Sequence, residues 1–192
     1  MKAVTTAGLV VLIGVAACAW IFVQSRSELL TEHDAIAREL KDLEDAISRR
    51  AELVPGLSAA LRGDLPENKP EDSGVFAALE RARLAVGSAQ SPQAKFDANN
   101  QLSAALGRLF VAVEVTPKAK ANERFQQLQR ELEGTDNRIL QARRRYNDAL
   151  KRYNTDLART PGNLVGSLCG LQRENAYFKT EPVALAAPKV QF

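Results

Sequence analysis

The chain has 192 residues, with 26 Lys and Arg against 23 Asp and Glu, so its net charge is only +3. A charge this small argues against nucleic acid as a partner, because nucleic-acid binding uses a concentrated basic surface. One His and two Cys are too few for a His/Cys metal cluster and give no sign of a disulfide framework. The sequence therefore predicts no metal and no cofactor.

The N-terminal segment is predicted to anchor the chain in a membrane. Residues 3–23 carry no charged side chain, and these 21 residues can cross about 30 Å of hydrocarbon as a helix. Trp20 suits the interface between lipid and water. We predict a single-pass anchor over residues 1–26 in the cell inner membrane, with the lipid bilayer contacted through residues 3–23.

Two other interpretations of this segment stay open. A cleaved signal peptide also begins with an apolar run, although that run is usually shorter. The stretch "VAAC", residues 15–18, is similar to a bacterial lipoprotein cleavage box in which Cys18 would carry the lipid. Against lipidation, Ala19 to Val23 remain apolar where a mature lipoprotein would become polar.

The side of the membrane on which the rest of the chain lies is predicted from positive charge. Lys2 precedes the apolar run, whereas Arg26, Arg38 and Lys41 follow it. Because positive charge near a spanning helix favours the cytoplasmic side, the balance favours a cytoplasmic domain.

A heptad repeat follows the apolar segment. Its spacings alternate between four and three residues, as in a helix that packs through one face. The positions are Leu29, His33, Ile36, Leu40, Leu43, Ile47, Arg50, Val54, Leu57 and Leu61. Pro55 removes a backbone donor, but the repeat continues through it, so we predict a kink there and a helix that continues to about Leu61.

Two shorter helices are predicted in the middle of the chain. Residues 63–74 are rich in Gly, Pro and turn-forming residues and are predicted to form a loop. Helices are expected over 74–87 and 93–115, and Thr116-Pro117 forms a turn before the next helix. The buried stripes of these two helices are predicted to be Val75, Leu79, Ala82 and Val86, and Leu102, Leu106, Leu109 and Val113.

The last long helix, about 118–159, carries a second heptad repeat and should end at Pro161-Gly162. Its positions are Phe125, Leu128, Leu132, Thr135, Ile139, Ala142, Tyr146, Ala149 and Tyr153. The predicted fold is all-α, with an N-terminal transmembrane helix followed by an antiparallel four-helix bundle whose first and last helices are long. Residues 27–178 form this domain, and 179–192 are predicted to be an extended or disordered tail.

Arg50 is predicted to point into the bundle, where its donors need partners. Tyr146-Asn147 and Tyr153-Asn154 repeat seven residues apart on one side of the last helix and could supply acceptors. The predicted polar layer either sets helix register or forms a small ligand pocket.

The same helix carries a predicted basic face. Between Arg138 and Arg159 seven Lys and Arg oppose two acids. Such a run is commonly a solvated surface, and the alternative is attraction to anionic lipid or an acidic partner. The face is formed by Arg143, Arg144, Arg145, Lys151 and Arg152.

Catalysis is not predicted. His33 is the single imidazole of the chain, and no Ser or Cys in the helical pattern lies near it to act as a nucleophile. Its position in the first heptad repeat is more typical of a structural histidine. The sequence therefore predicts a protein that is not an enzyme.

Several stretches resemble the LemA family of bacterial membrane proteins. They occur in the family's order behind an N-terminal anchor and are "RRAELVP" (49–55), "ALGRLFVAVE" (105–114), "KANERFQQL" (120–128), "NRILQARRRYNDALKRYN" (137–154) and "APKVQF" (187–192). The resemblance implies a four-helix bundle of long helices outside the membrane. It also implies a role in the cell envelope or in membrane organisation, without naming a reaction.

Two functions are expected from these observations. The first is a membrane-anchored helical scaffold of the bacterial envelope that binds a partner protein, with self-association left open. The second is a protein that organises membrane by binding lipid or an acidic partner through the basic face of the last helix.

Overall fold

The structure is a computed structural model that describes residues 2–65 and 73–178. These residues form helices, turns and extended segments, and no strand occurs among them. The helices are α1 (Lys2–Glu52), α2 (Val54–Leu61), α3 (Ser73–Ser88), α4 (Pro92–Glu114), α5 (Pro117–Lys120), α6 (Glu123–Ala158) and α7 (Gly162–Cys169). The all-helical class is as predicted. The tail at 179–192 and most of the predicted loop at 63–74 lie outside the described residues.

The first helix exposes its apolar part. Among the described residues, α1 taken together with α2 is the one helical stretch that is long and apolar enough to cross a membrane. No part of its apolar 18-residue segment is buried. A core helix of a soluble protein would bury such a segment, so this part of α1 does not belong to the core. Length and composition equally fit a membrane anchor and a signal sequence.

The helical path continues past Pro55, as predicted. The regular helix is interrupted for one residue only, because α1 ends at Glu52 and α2 begins at Val54. Leu53 keeps helical angles, φ −77° and ψ −18°, and its N–H donates to the Arg50 carbonyl at 3.3 Å. The interruption arises because Pro55 has no N–H to donate and its ring crowds the preceding turn.

The chain divides into two compact units. Unit 1 contains Met1–Glu39 and Arg145–Asn175, and unit 2 contains Leu40–Arg144 and Ala176–Phe192. The two long helices, α1 and α6, each contribute to both units.

Unit 2 contains most of the apolar core. In it α3 packs against α4, α4 against α5 and α2 against α3. The predicted stripes of α3 and α4 are buried at every position, which confirms those two predictions. From α1, α2 and α6 the core receives Leu43, Ile47, Val54, Leu57, Leu61, Phe125, Leu132, Ile139 and Ala142.

The start of α6 is held by one asparagine. Asn122 Oδ1 accepts from the Phe125 N–H at 3.0 Å and caps the helix. Its amide donates to the Ala60 carbonyl at 3.0 Å and to Asp64 Oδ2 at 2.7 Å. The bond from Asn122 to Asp64, and after it Lys118, which lies 3.0 Å from Asp64 Oδ1, lower the pKa of Asp64. One side chain thereby joins the end of α2 to the beginning of α6.

Unit 1 has a smaller core. Its buried apolar side chains are Leu29, Ile36, Tyr146, Leu150, Tyr153, Leu157 and Val165. His33, predicted as a position of the first heptad repeat, is 46% exposed, and its ring packs edge-on against Tyr153 of the second repeat. The imidazole lies at the edge of the core, where it can remain hydrated.

A last helix, α7, was not predicted. Pro161-Gly162 ends α6 at Ala158, but Gly162 then begins an eight-residue helix. A Cβ at Gly162 would lie 2.1 Å from the Asp156 carbonyl oxygen, so only glycine allows this close turn. Gly170, with φ 69°, ends α7 in the left-handed conformation.

Candidate functional site

Unit 2 contains a buried arginine. Arg50 is 8% exposed, and its Nη1 donates to Ser103 Oγ at 2.7 Å and to Asn99 Oδ1 at 3.4 Å. Its Nε lies 3.0 Å from Asp136 Oδ1, which makes an ion pair, although the N–H is not aimed at that oxygen. The positive charge is therefore paired with Asp136 of α6, and Nη1 is hydrogen-bonded to uncharged side chains of α4.

The electrostatics of this cluster follow from burial. Burial lowers the pKa of Arg50, and Asp136 partly opposes that shift. Burial also raises the pKa of Asp136, and the positive charge of Arg50 opposes that rise. Ser103 Oγ donates to the Asn99 carbonyl at 3.0 Å, so it is oriented from its own helix. These contacts link α1 to α4 and α6, and the Arg50 Nε–H is left without a hydrogen-bond partner.

A second feature of unit 2 is a groove of about 410 Å³ between α4 and α6. Phe110 and Phe125 meet edge to face in it, with ring centroids 6.1 Å apart. Beside it Val111 and Val115 are 68% and 70% exposed. The lining combines apolar and charged side chains, namely Phe110, Val113, Glu114, Lys120, Phe125, Gln126, Gln129, Arg130 and Glu133.

Unit 1 has a charged groove of about 320 Å³ between α1 and α6. Arg145 Nε donates to Glu39 Oε2 at 2.8 Å across it. The groove is lined by Glu32, Ala35, Glu39, Arg145, Asp148, Ala149 and Arg152. Acidic and basic side chains both line the groove.

Glu32 is the unusual group in this groove. Its Oε2 is buried without a hydrogen-bond partner. Burial, and after it the hydrogen bond with Asp156, raises the pKa of Glu32 to about 7, although Arg152 opposes the shift. Glu32 therefore exchanges a proton near neutral pH, where an ordinary glutamate stays ionised.

The end of α6 holds an extended segment of unit 1. The Tyr153 hydroxyl donates to the Gln172 carbonyl at 2.9 Å. Asn154 donates to the Glu174 carbonyl at 2.6 Å and accepts from the Glu174 N–H at 3.0 Å. His33 lies edge-on to Tyr153, with ring centroids 5.5 Å apart, and its Nε2 is 3.8 Å from Glu174 Oε1. Burial raises the pKa of Tyr153, which keeps its hydroxyl a donor.

The sequence model of the LemA family matches residues 39–192, which is most of the chain. The chain belongs to the LemA family. No curated protein matches it.

In this LemA-family chain the residues of the predicted polar layer have different partners. The predicted acceptors for Arg50 were the two tyrosine–asparagine pairs of the last helix. In the structure Arg50 instead bonds to Asn99 and Ser103 and forms an ion pair with Asp136, all in unit 2. Tyr153 and Asn154 instead bond to the backbone at Gln172 and Glu174 in unit 1. Tyr146 is buried and Asn147 is half-buried. The second tyrosine–asparagine pair thus bonds to the segment after α7.

The predicted basic face is partly engaged within the chain. In unit 2 the Arg143 guanidinium lies 5.7 Å from the centroid of the Phe178 ring. In unit 1 Arg145 pairs with Glu39, and Arg152 is close enough to Glu32 to lower its pKa. Arg144 and Lys151 are exposed. Three of the five cations therefore have roles in packing or pairing.

Cys18, the candidate for lipidation, is exposed on α1. The helix runs through Cys18 without a break, from Lys2 to Glu52. Within the described residues no three His, Cys, Asp or Glu side chains are grouped to hold a metal ion.

Sequence reasoning missed the partners of Arg50 and the whole of α7. A signal for Asn99 was present, since it lies three residues before Leu102 and extends the buried stripe of α4 by one step. Asp136 follows the seam residue Thr135, but nothing in its position distinguishes it from a surface acid. Helix α7 has only eight residues, too few to show a repeated pattern of apolar positions.

Proposed function

We propose that this LemA-family protein is a single-pass scaffold of the cell membrane, anchored by residues 3–23, whose helical domain binds a partner protein. The observation that carries the proposal is the contrast along α1. Its apolar N-terminal part is exposed, whereas Leu43 and Ile47 on the same helix are fully buried. A continuous helix that leaves a folded core and exposes only apolar side chains needs an apolar surrounding, which a bilayer supplies.

The domain is proposed to be an antiparallel four-helix bundle within unit 2. The four members are the end of α1 with α2, then α3, α4 and the first part of α6. The packing of α3 on α4 supports this arrangement. The bonds from Arg50 on α1 to side chains of α4 and α6 support it as well.

The groove between α4 and α6 is proposed as the surface for the partner protein. Phe110, Val113 and Phe125 offer apolar area, and Lys120 and Arg130 are among its charged lining residues. Protein interfaces combine an apolar centre and a polar rim in this way. Val111 and Val115 would extend the apolar area, since both are exposed beside it.

Membrane extraction tests the anchoring. The full chain should stay with the membrane pellet after washing at high salt and alkaline pH, and a chain lacking residues 3–23 should be released. Release of the intact chain under these washes would contradict the anchoring, because interfacial contacts alone do not resist them.

Photo-crosslinking in intact membranes tests the partner surface. A photoreactive amino acid at position 111 or 115 should yield discrete adducts with another protein. The matched control is the same amino acid at position 84, because Leu84 is an exposed apolar residue on α3 in the same unit. Absence of adducts at 111 and 115, or equal adducts at all three positions, would refute this surface.

A further inference from the structure

Helix α7 presents two leucines to the surroundings. Leu164 and Leu168 are 62% and 76% exposed, whereas Val165 and Gly166 are buried. Because the leucines are four residues apart, they lie on one face of the helix. A helix of eight residues has little reason to expose its two largest apolar side chains to water.

The helix holds this face rigidly. A Cβ at Gly166 would lie 2.3 Å from Leu157 Cδ1, so α7 is packed closely against the last turn of α6. Gly170 ends α7 with a left-handed cap, and its N–H donates to the Gly166 carbonyl. The two leucines are therefore held outward by a fixed helix.

Within unit 1, α7 lies toward the end of the apolar part of α1. There α6 runs antiparallel to α1, because Arg145 pairs with Glu39 and Tyr153 packs on His33. Each step along α6 is thus a step toward the N-terminus of α1. Val23 precedes His33 by ten residues, about 15 Å of helix, and α7 packs against Asp156 and Leu157 of α6, on the far side of Tyr153.

The positions of the buried residues of α1 agree with this alignment of α6 against α1. Ser25 and Leu29 are buried, whereas none of the described side chains before Ser25 is. Some part of unit 1 must therefore cover α1 immediately after its apolar run. The register of α6 against α1 brings the region of α7 to that level.

The charges beside α7 fit a phospholipid surface. Arg159 precedes the turn into α7, Arg173 follows α7 and is next to Glu174, and Arg26 follows the apolar run of α1. All three arginines are exposed. Guanidinium groups pair well with phosphate, and exposed leucines beside them are typical of helices that lie in the headgroup region.

We infer that α7 is an interfacial membrane helix, which inserts Leu164 and Leu168 among the lipid chains beside the proposed anchor. This inference rests on the anchoring proposed above. A second contact of this kind orients unit 1 on the bilayer, because a spanning helix alone leaves the domain free to rotate about its axis.

A fluorescent probe at Cys169 tests the inference. Cys169 is exposed at the end of α7, and Cys18→Ala makes it the single cysteine, since the chain has two. The full chain is labelled with an environment-sensitive dye and placed in vesicles of phosphatidylcholine and phosphatidylglycerol. We expect a blue-shifted emission that is largely lost when nitroxide-labelled lipid is included. The matched control, Cys18→Ala with Cys169→Ala and Gln101→Cys, carries the dye on exposed α4 and should emit as in water.

Two further measurements separate the outcomes. Leu164→Ser with Leu168→Ser should return the Cys169 dye to a water-like emission while the protein still floats with the vesicles, and Leu84→Ser should change neither. Both leucines are exposed, so the fold should be kept, and circular dichroism checks this. Flotation together with water-like emission from the unaltered α7 would overturn the inference and leave the anchoring intact. Failure to float would instead refute the anchoring, and with it this inference.

Discussion

Different interactions stabilise the two units of the chain. Unit 2 joins helices through a broad apolar core that encloses one charged cluster around Arg50. Unit 1 has few buried apolar residues, two of them tyrosines, and leaves the apolar part of α1 exposed. Its C-terminal segment is tied by hydrogen bonds from Tyr153 and Asn154. The difference indicates that burial stabilises unit 2, whereas unit 1 depends on specific polar bonds and on its surroundings.

The largest expected effect comes from breaking the charged cluster of unit 2. Asp136→Ala leaves Arg50 buried without its counter-ion and should lower the free energy of unfolding by about 3 kcal/mol. Arg50→Met removes the buried charge instead and leaves Asp136, which is half-exposed, to the solvent. That variant should change stability by no more than about 1 kcal/mol.

Denaturation of the full chain in detergent, followed by circular dichroism, measures both variants. Hydrogen exchange should locate the loss caused by Asp136→Ala in unit 2. An equal loss from the two variants would contradict this, because it would mean that removing the buried charge is as costly as leaving it without its counter-ion.

The next effect concerns the turn of unit 1. At Gly162 an added Cβ would meet the Asp156 carbonyl at 2.1 Å, so Gly162→Ala should cost about 1–3 kcal/mol. Hydrogen exchange should rise over the end of α6 and α7 and stay unchanged in unit 2. The matched control is Gly134→Ala on α6, where a Cβ meets nothing within 4 Å. This control should stabilise the helix by about 0.5–1 kcal/mol.

Two asparagines give a paired comparison of the units. Asn122→Ala removes a helix cap in unit 2 and should destabilise the chain by about 1–2 kcal/mol. Asn154→Ala removes two bonds to Glu174 in unit 1 and should cost about 1 kcal/mol. Exchange at residues 171–178 should increase only for Asn154→Ala. Protection of that segment in both variants would show that apolar packing holds it.

The smallest effect is a dependence on pH in unit 1. The pKa of Glu32 rises from 4.5 to about 7 on folding, so the folded state keeps a proton that the unfolded state loses. Stability from this group is therefore present at acidic pH and is lost as the pH rises through about 7. Glu32→Gln mimics the protonated form, and its gain in Tm over the unaltered chain should be small near pH 4.5 and larger at pH 8. A gain that does not vary with pH would contradict this.

The two heptad repeats predicted the buried faces of α1, α2 and α6 in large part. Leu43, Ile47 and Val54 are buried as the first repeat required. These predictions succeed because the period of a helix is local, so the positions of apolar residues decide which face can leave water. His33 shows the limit, since a periodic position places a side chain on a face but does not bury it.

The amino-acid order alone predicted the all-helical class, the apolar segment that is long enough to cross a membrane, and membership of the LemA family. It also singled out Arg50 and the tyrosine–asparagine repeat as polar groups that need partners. It did not predict that a short α5, Pro117–Lys120, is separate from α6, which begins at Glu123. The partners of those polar groups depend on the folded chain, because Asp136 is remote in sequence from Arg50 and Gln172 lies beyond α7 from Tyr153. Helix α7 was likewise decided by packing, since eight residues are too short to form a stable helix without the α6 turn against which Gly166 fits.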